Sequence, residues 1–154
     1  MSMPTEVRVA GVADADAIGR LLFDFNTEFD SATPNAATLA DRFSTLLVRD
    51  DVRVLLAGDA AGFAFLTLRP TPYSDGPLAQ LEELYVRADL RDRGIGTALL
   101  TAAIEEVRAL GGEEIHINVD EVDVDTRRFY ERHGFTNIQP GEDYRMLCYL
   151  RELV

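Results

Sequence analysis

The amino-acid sequence predicts a single mixed α/β domain, and three observations carry that expectation. The chain has 154 residues, 47% of them hydrophobic, a size at which one core buries roughly 68–70% of the unfolded surface. Strand-like and helix-like apolar patterns follow one another along it. The stretch Leu81 to Ala98, LEELYVRADLRDRGIGTA, joins an apolar strand-like run through a basic, glycine-bearing loop directly to a helix.

The elements are read in chain order. A strand covers Glu6 to Ala10, and Asp14 stands at the N-cap position of an amphipathic helix with Ile18, Leu21, Leu22, Phe25 and Phe29 at helical spacing. A break over Ser31 to Asn35 leads into a second helix that runs through about Leu47. Val52 to Ala57 and Gly62 to Arg69 read as two strands joined around Gly58-Asp59, a hairpin signal. Pro70 to Pro77 is a loop, and Ala79 to Val86 is the next strand. After the glycine-bearing loop a helix runs to Gly111-Gly112, a C-terminal stop, with Ile95, Leu99, Ala102, Ala103 and Val107 as its buried stripe. Ile115, Ile117 and Val119 alternate in a further strand, a short helix ends at Gly134, and a closing pair of strands completes the chain. No repeat, linker or low-complexity segment interrupts it, so residues 1–154 read as one domain.

Composition limits the function classes. Cys148 is the one cysteine, so no intrachain disulfide can form and a reduced, cytoplasmic setting is expected. Cys148 itself reads as a small apolar core residue of a late strand. No early basic-then-apolar run resembles a signal peptide, and no apolar stretch approaches the ~20 residues of a membrane span. The formal net charge of −12 argues against a nucleic-acid partner and favours cationic ligands by steering. His116 and His133 are isolated, without ligand spacing around them, so no metal site is expected.

The loop of the central stretch has the chemistry of an anion site. The first turn of a helix leaves backbone N–H groups without intrahelical partners, and the macrodipole puts positive potential at that end. Gly94 and Gly96 let an extended ligand approach the backbone, and Arg91 and Arg93 supply cationic donors. The spacing excludes the common nucleotide motifs. There is no lysine anywhere in the chain for a P-loop, and Leu99 stands where the dinucleotide fingerprint needs its third glycine.

What remains is Arg91-x-x-Gly94-x-Gly96 after Leu84-Tyr85-Val86, with Phe129-Tyr130-Glu131-Arg132-His133-Gly134-Phe135 downstream. In that order and separation the two motifs resemble the GNAT superfamily of acetyl-coenzyme A dependent N-acetyltransferases. The resemblance implies an α/β fold of GNAT type. Its central sheet would be mixed and mostly antiparallel, with about six or seven strands and about four helices, splayed between the central strand and the next so that the pantetheine arm enters the gap. It further implies that backbone at Leu84, Tyr85 and Val86 bonds that arm, and that Arg91, Asp92, Arg93, Gly94, Ile95, Gly96 and Thr97 hold the pyrophosphate of acetyl-coenzyme A, the cosubstrate. Leu84 or its neighbour would offer an N–H to the thioester oxygen.

Roles in catalysis follow from the same resemblance. An alkylammonium, with a pKa of about 10.4, must lose a proton before it attacks. Glu82 and Glu83 are adjacent in the central strand, one on each side of the sheet. The pattern there is similar to the polyamine acetyltransferase branch, which makes Glu82 the base acting through water and keeps Glu83 in reserve. Tyr130 would return a proton to the departing thiolate. Asp123 and Thr126 stand where the family usually has Asn and Ala or Ser; Asp123 can cap the helix but, ionised, cannot donate an N–H to the cofactor. The polar residues Asn26, Glu28 and Asp30 near the end of the first helix are candidates to line an acceptor pocket.

The expected reaction is direct acetyl transfer to a primary amine of a small, cationic acceptor, since Cys148 is the only thiol that could carry the acyl group. A small-molecule amine is the expected partner, with no nucleic acid and no membrane, and a homodimer is compatible with the sequence. Two alternatives stay open: a coenzyme A binding or sensing module with little catalysis, and an acyltransferase for a longer acyl donor.

Overall fold

The structure, a computed structural model, describes residues 5–154, which fall into two units, residues 5–117 and 118–154. In the first unit β1 (Val7–Val9) leads through a short 3₁₀ turn into α1 (Ala15–Glu28), and α2 (Ala36–Leu46) follows. Asn35 caps α2, its side-chain oxygen accepting from the Thr38 N–H at 2.8 Å. Asp14 precedes α1 as expected, but its carboxylate does not cap that helix. It turns back to accept from the Gly11 N–H at 2.9 Å and from both terminal nitrogens of Arg8 at 2.8 and 2.7 Å. The Arg8 guanidinium, with the Gly11 bond behind it, holds the Asp14 carboxyl down to about 2.

β2 (Val52–Ala57) and β3 (Gly62–Arg69) form the hairpin read from sequence, with Gly58 and Ala60 in left-handed conformation at φ 48° and 52°. β4 (Leu78–Val86) pairs antiparallel with β3 and is followed by the loop into α3 (Ile95–Ala109). β5 (Ile115–Ile117) then pairs parallel with β4. The sheet has five strands in the order β1-β2-β3-β4-β5, mixed and mostly antiparallel.

Helices cover both faces of this sheet. On one face α1 and α2 bury Ile18, Leu21 and Phe43 with Val52, Val54, Leu56, Phe63 and Tyr85 in one apolar cluster. The two helices meet backbone to backbone: a Cβ on Gly19 would lie 2.6 Å from the Ala40 nitrogen. The other strand face carries Leu55, Ala64, Leu66 and Leu81 opposite to those residues in register, and α3 packs against β2, β3 and β4. The buried stripe of α3 is Ile95, Leu99, Leu100, Ala103 and Val107, so Leu100 takes the place expected for Ala102, which is half-buried.

The second unit contains α4 (Val124–Arg132). Asp123 caps it, accepting from the Thr126 N–H at 3.3 Å, and the helix ends at Gly134 with φ 89°. The Phe135 N–H returns to the Tyr130 carbonyl at 3.0 Å. The closing pair of strands expected from sequence is absent from the described residues, which is why the sheet has five strands rather than six or seven. A strand needs a ladder partner as well as strand-forming residues. The bond from the Met146 N–H to the Asn137 carbonyl, 2.6 Å, joins the two segments at one point and no ladder follows. Cys148 is accordingly exposed and outside any strand, which corrects its reading as a core residue.

Candidate active site

The site grows from a fault in the ladder between β3 and β4. Phe65 stands opposite Glu83 and Leu66 opposite Leu81, so Glu82 is an extra residue in β4. Such a β-bulge re-aims the side chains that follow it. Residues opposite each other in an antiparallel pair share a face, so Leu81 lies with Leu66 while Glu83 lies with Phe65, on the face that also carries Phe63 and Tyr85. Without the bulge Leu81 and Glu83, two residues apart, would share one side.

The bulge separates the two carboxylates by environment. Glu82 is exposed, whereas Glu83 is half-buried beneath α1 and α2. Burial pushes the Glu83 carboxyl above the ordinary glutamate value, and the neighbouring charge of Glu82 adds to it. The bulge also coincides with the end of the β4–β5 ladder. β5 pairs with β4 only at Ala79, Gln80 and Leu81. From Glu82 to Val86 the far edge of β4 has no strand partner among the described residues, so apart from the Val86 carbonyl, which accepts from Arg91, its outward N–H and C=O groups could pair with a ligand that has amides of its own, as a pantetheine arm has.

Beyond β4 the chain turns through a 3₁₀ segment, Ala88–Leu90, and enters the loop. Asp92 and Gly94 both adopt left-handed conformation, at φ 62° and 81°. Left-handed residues set in a turn bring successive backbone N–H groups to one side, the concave arrangement that holds anions. Gly94 is the N-cap of α3, and the first helical bond is from the Ala98 N–H to the Gly94 carbonyl at 3.0 Å. Ile95 is buried and anchors the helix start, while Gly96 is half-buried and Thr97 exposed in the first turn. A Cβ built on Gly94 meets no atom within 4 Å, so the glycine answers a conformational need and the loop surface is open there.

The Arg91 side chain has partners within the protein that the motif does not show. Its two terminal nitrogens donate to both oxygens of Glu28, at 2.6 and 2.8 Å, and its Nε donates to the Val86 carbonyl at 3.1 Å. The guanidinium also lies 5.5 Å from the Tyr85 ring centre and 5.8 Å from that of Phe29. Its side chain is therefore engaged within the protein, and the Val86 carbonyl already has a partner. Arg93 is a second exposed cation of the loop. Tyr85 stacks on Phe25 with ring centres 4.7 Å apart and donates its hydroxyl to Glu28 at 3.0 Å. Burial, then that bond, pushes the Tyr85 phenol up to about 12, and the Arg91 guanidinium holds the Glu28 carboxyl below the usual carboxylate range.

One continuous strand, loop and helix thus brings residues 82–97 together. Asp123, Thr126 and Tyr130 come together on α4 of the second unit, where Tyr130 is buried with its ring edge-on to Phe129 and Phe135 at 5.3 and 5.5 Å. Of the helix-end candidates, Glu28 is committed to Arg91 and Tyr85, and Asn26 donates to the Thr33 hydroxyl at 3.2 Å. The partnership of Glu28 with Arg91 spans 63 positions, and no local pattern announces it. Among the described residues no group of three or more His, Cys, Asp or Glu side chains is arranged to hold a metal ion.

Known proteins resemble this chain in sequence and fold. The profile of the acetyltransferase (GNAT) family matches residues 15–135. A crystal structure from Arthrobacter sp. FB24, of a protein assigned to the acetyltransferases, superposes with a TM-score of 0.92 at 47% identity, covering 99% of each chain. Aminoalkylphosphonate N-acetyltransferase of Salmonella typhimurium is 28% identical over 134 residues, 84% of this chain and 84% of that protein. Mycothiol acetyltransferase of Thermobispora bispora is 31% identical over 90 residues, 58% of this chain, which spans only 30% of that protein's length. The matched residues include β4, the loop of Arg91 to Thr97, the start of α3 and the tyrosine segment of α4, and the chain belongs to the acetyltransferase (GNAT) family.

Proposed function

We propose that the chain transfers the acetyl group of acetyl-coenzyme A directly to a primary amine of a small, cationic acceptor, with Glu83 rather than Glu82 as the base. The carrying observation is the half-buried Glu83 carboxylate on β4, its pKa raised by burial, next to a strand edge left open for the cofactor. A base poised nearer neutrality than an ordinary carboxylate accepts a proton from an ammonium more effectively at working pH.

The steps balance as follows. The loop of residues 91–97 and the first turn of α3 hold the pyrophosphate, and the β4 edge holds the pantetheine amides. Glu83, through a water, takes a proton from the acceptor ammonium. The freed amine attacks the thioester carbonyl, forming the C–N bond, and the Leu84 N–H or its neighbour meets the developing oxyanion, a contact typically worth ~10²–10³ in rate. The C–S bond then breaks and Tyr130 protonates the departing thiolate. After the attack the nitrogen still carries a second proton, which it gives up through water as the C–S bond breaks and which restores Tyr130. The first proton, held by Glu83, passes to solvent, so of the two protons the ammonium loses one ends on the coenzyme A thiol and one in solvent.

The acceptor class draws support from two sides. The net charge of −12 steers cations toward the protein. The aminoalkylphosphonate N-acetyltransferase relative, by its name, acts on a small molecule bearing a primary amine. The test is release of coenzyme A thiol at mildly alkaline pH across diamines, aminoglycosides, aminoalkylphosphonates and amino acids. Acceleration by one class of small amines is expected. No amine raising release above background hydrolysis would overturn the proposal and leave a coenzyme A binding module, and faster release from a longer acyl donor would move the donor assignment.

A further inference from the structure

We propose that Glu28, at the C-terminal end of α1, is a positioning residue for the cofactor: through Arg91 and Tyr85 it fixes the end of β4 and the loop of residues 91–94 in the shape that receives the pyrophosphate. The inference rests on the reading of that loop as the coenzyme A cradle and adds to it a residue that lies 63 positions away.

Arg91 has five N–H donors in a rigid fork, and the structure directs three of them at protein atoms. The two terminal nitrogens grip both oxygens of Glu28, at 2.6 and 2.8 Å, and Nε grips the Val86 carbonyl at 3.1 Å. One side chain therefore ties the loop start to the last residue of β4 and to the last residue of α1. A guanidinium held in this way is a poor phosphate ligand and a good brace.

The loop has a conformation that needs bracing. Asp92 sits at φ 62°, a left-handed state that is less favourable for an L residue than for glycine, though aspartate tolerates it better than most. The residues from Asp92 to Gly94 are exposed, so little packing holds them. Arg91, immediately before them, is the point at which the fold can set their direction. Glu28 in turn is held on a second side by the Tyr85 hydroxyl at 3.0 Å, and Tyr85 is clamped between Phe25 and the core. The brace thus runs from the core through Tyr85 and Glu28 to Arg91 and the loop.

The same geometry argues against Glu28 as an acceptor ligand. Both of its oxygens are engaged, so an acceptor ammonium would have to displace a bidentate guanidinium.

The experiment uses the full chain with Glu28→Ala, Arg91→Ala and the double variant. It measures coenzyme A affinity by calorimetry, together with KM for acetyl-coenzyme A and for the amine separately. Glu28→Ala is expected to weaken coenzyme A on the order of 5–150-fold, the usual range for coupling between sites, and to leave the amine KM nearly unchanged. The double variant should be no weaker than the worse single one, because both act through one contact. Glu28→Gln, nearly isosteric and still able to accept from Tyr85, covers the case in which the alanine variant does not fold; it should weaken coenzyme A in the same direction. Additive losses, a rise confined to the amine KM, or a lowered Tm with unchanged coenzyme A affinity would each overturn the proposal. A wild-type chain without coenzyme A affinity would overturn the cradle reading and this proposal together, whereas wild-type affinity unmoved by Glu28→Gln would overturn this proposal alone.

Discussion

Replacing Glu83 by Gln removes the half-buried carboxylate of β4 while keeping its size. If Glu83 accepts the acceptor's proton, kcat/KM should fall by ~10²–10⁴, the usual contribution of a positioned base, or about 2.7–5.4 kcal/mol at 1.36 kcal/mol per decade. The pH profile separates this from a general loss. A base works only when deprotonated, and the Glu83 carboxyl is raised above the ordinary value by burial and then by the Glu82 charge. Wild-type kcat/KM should therefore climb about tenfold per pH unit below the Glu83 pKa and level off above it, and Glu83→Gln should abolish that acid limb. Glu82→Gln removes the second cause of the shift, so the limb should move to lower pH with the plateau kept. Stability provides the control. Because the folded carboxyl holds its proton more tightly than the unfolded one, its contribution is most favourable below the unfolded pKa and is lost as pH rises through the folded one. Glu83→Gln should then be no less stable than wild type at neutral pH. The assay is thiol release under substrate-limiting conditions from acid to mildly alkaline pH. Loss of the plateau in Glu82→Gln, with only a displaced limb in Glu83→Gln, would refute the assignment and restore Glu82 as the base.

Three further outcomes are expected. Gly19→Ala gains about 0.8–1.0 kcal/mol of helix propensity. Its new Cβ would nevertheless lie 2.6 Å from the Ala40 backbone nitrogen, which no rotamer can relieve, so overpacking of about 1–3 kcal/mol should win and Tm should fall; an unchanged or raised Tm would show that α1 and α2 separate freely. Asp14, held down to about 2 by Arg8 and Gly11, contributes stability that is present above the unfolded carboxylate value and is lost as pH falls toward about 2. Arg8 is half exposed, so the gap between Asp14→Asn and wild type in urea should be at most about 1 kcal/mol at neutral pH and should close in strong acid; a gap independent of pH would assign the effect to something other than ionisation. Cys148→Ala should keep the full rate, as direct transfer requires, and a trapped acyl-thioester on Cys148 would contradict that route.

Much of the first unit was legible because its signals are local. The strands of the β2–β3 hairpin match their sequence boundaries, since apolar runs and a Gly58-Asp59 turn suffice to define them. The start of α3 at Ile95 follows from the left-handed Gly94 just before it. The bulge at Glu82 was not legible: two adjacent glutamates fit an unbroken strand equally well, and only the register against Phe65 and Leu66 reveals the extra residue. That one shift places Glu83 on the half-buried side and leaves Glu82, the base expected from the resemblance, exposed. The ion pair of Arg91 with Glu28 was hidden for a related reason. The motif gives the loop's chemistry, but what the guanidinium bonds depends on where α1 ends in space. The C-terminal segment carries strand-forming residues, yet a strand exists only with a partner, and none of the described residues supplies one beyond the Met146 bond.

The most direct test of the central claim is to count products. With acetyl-coenzyme A and the amine that best accelerates thiol release, the thiol formed and the N-acetylated amine, identified by mass, should appear in equal amounts and in proportion to enzyme. Thiol released without acetylated amine would contradict direct transfer to an amine and leave the site a coenzyme A binding cleft that hydrolyses its ligand.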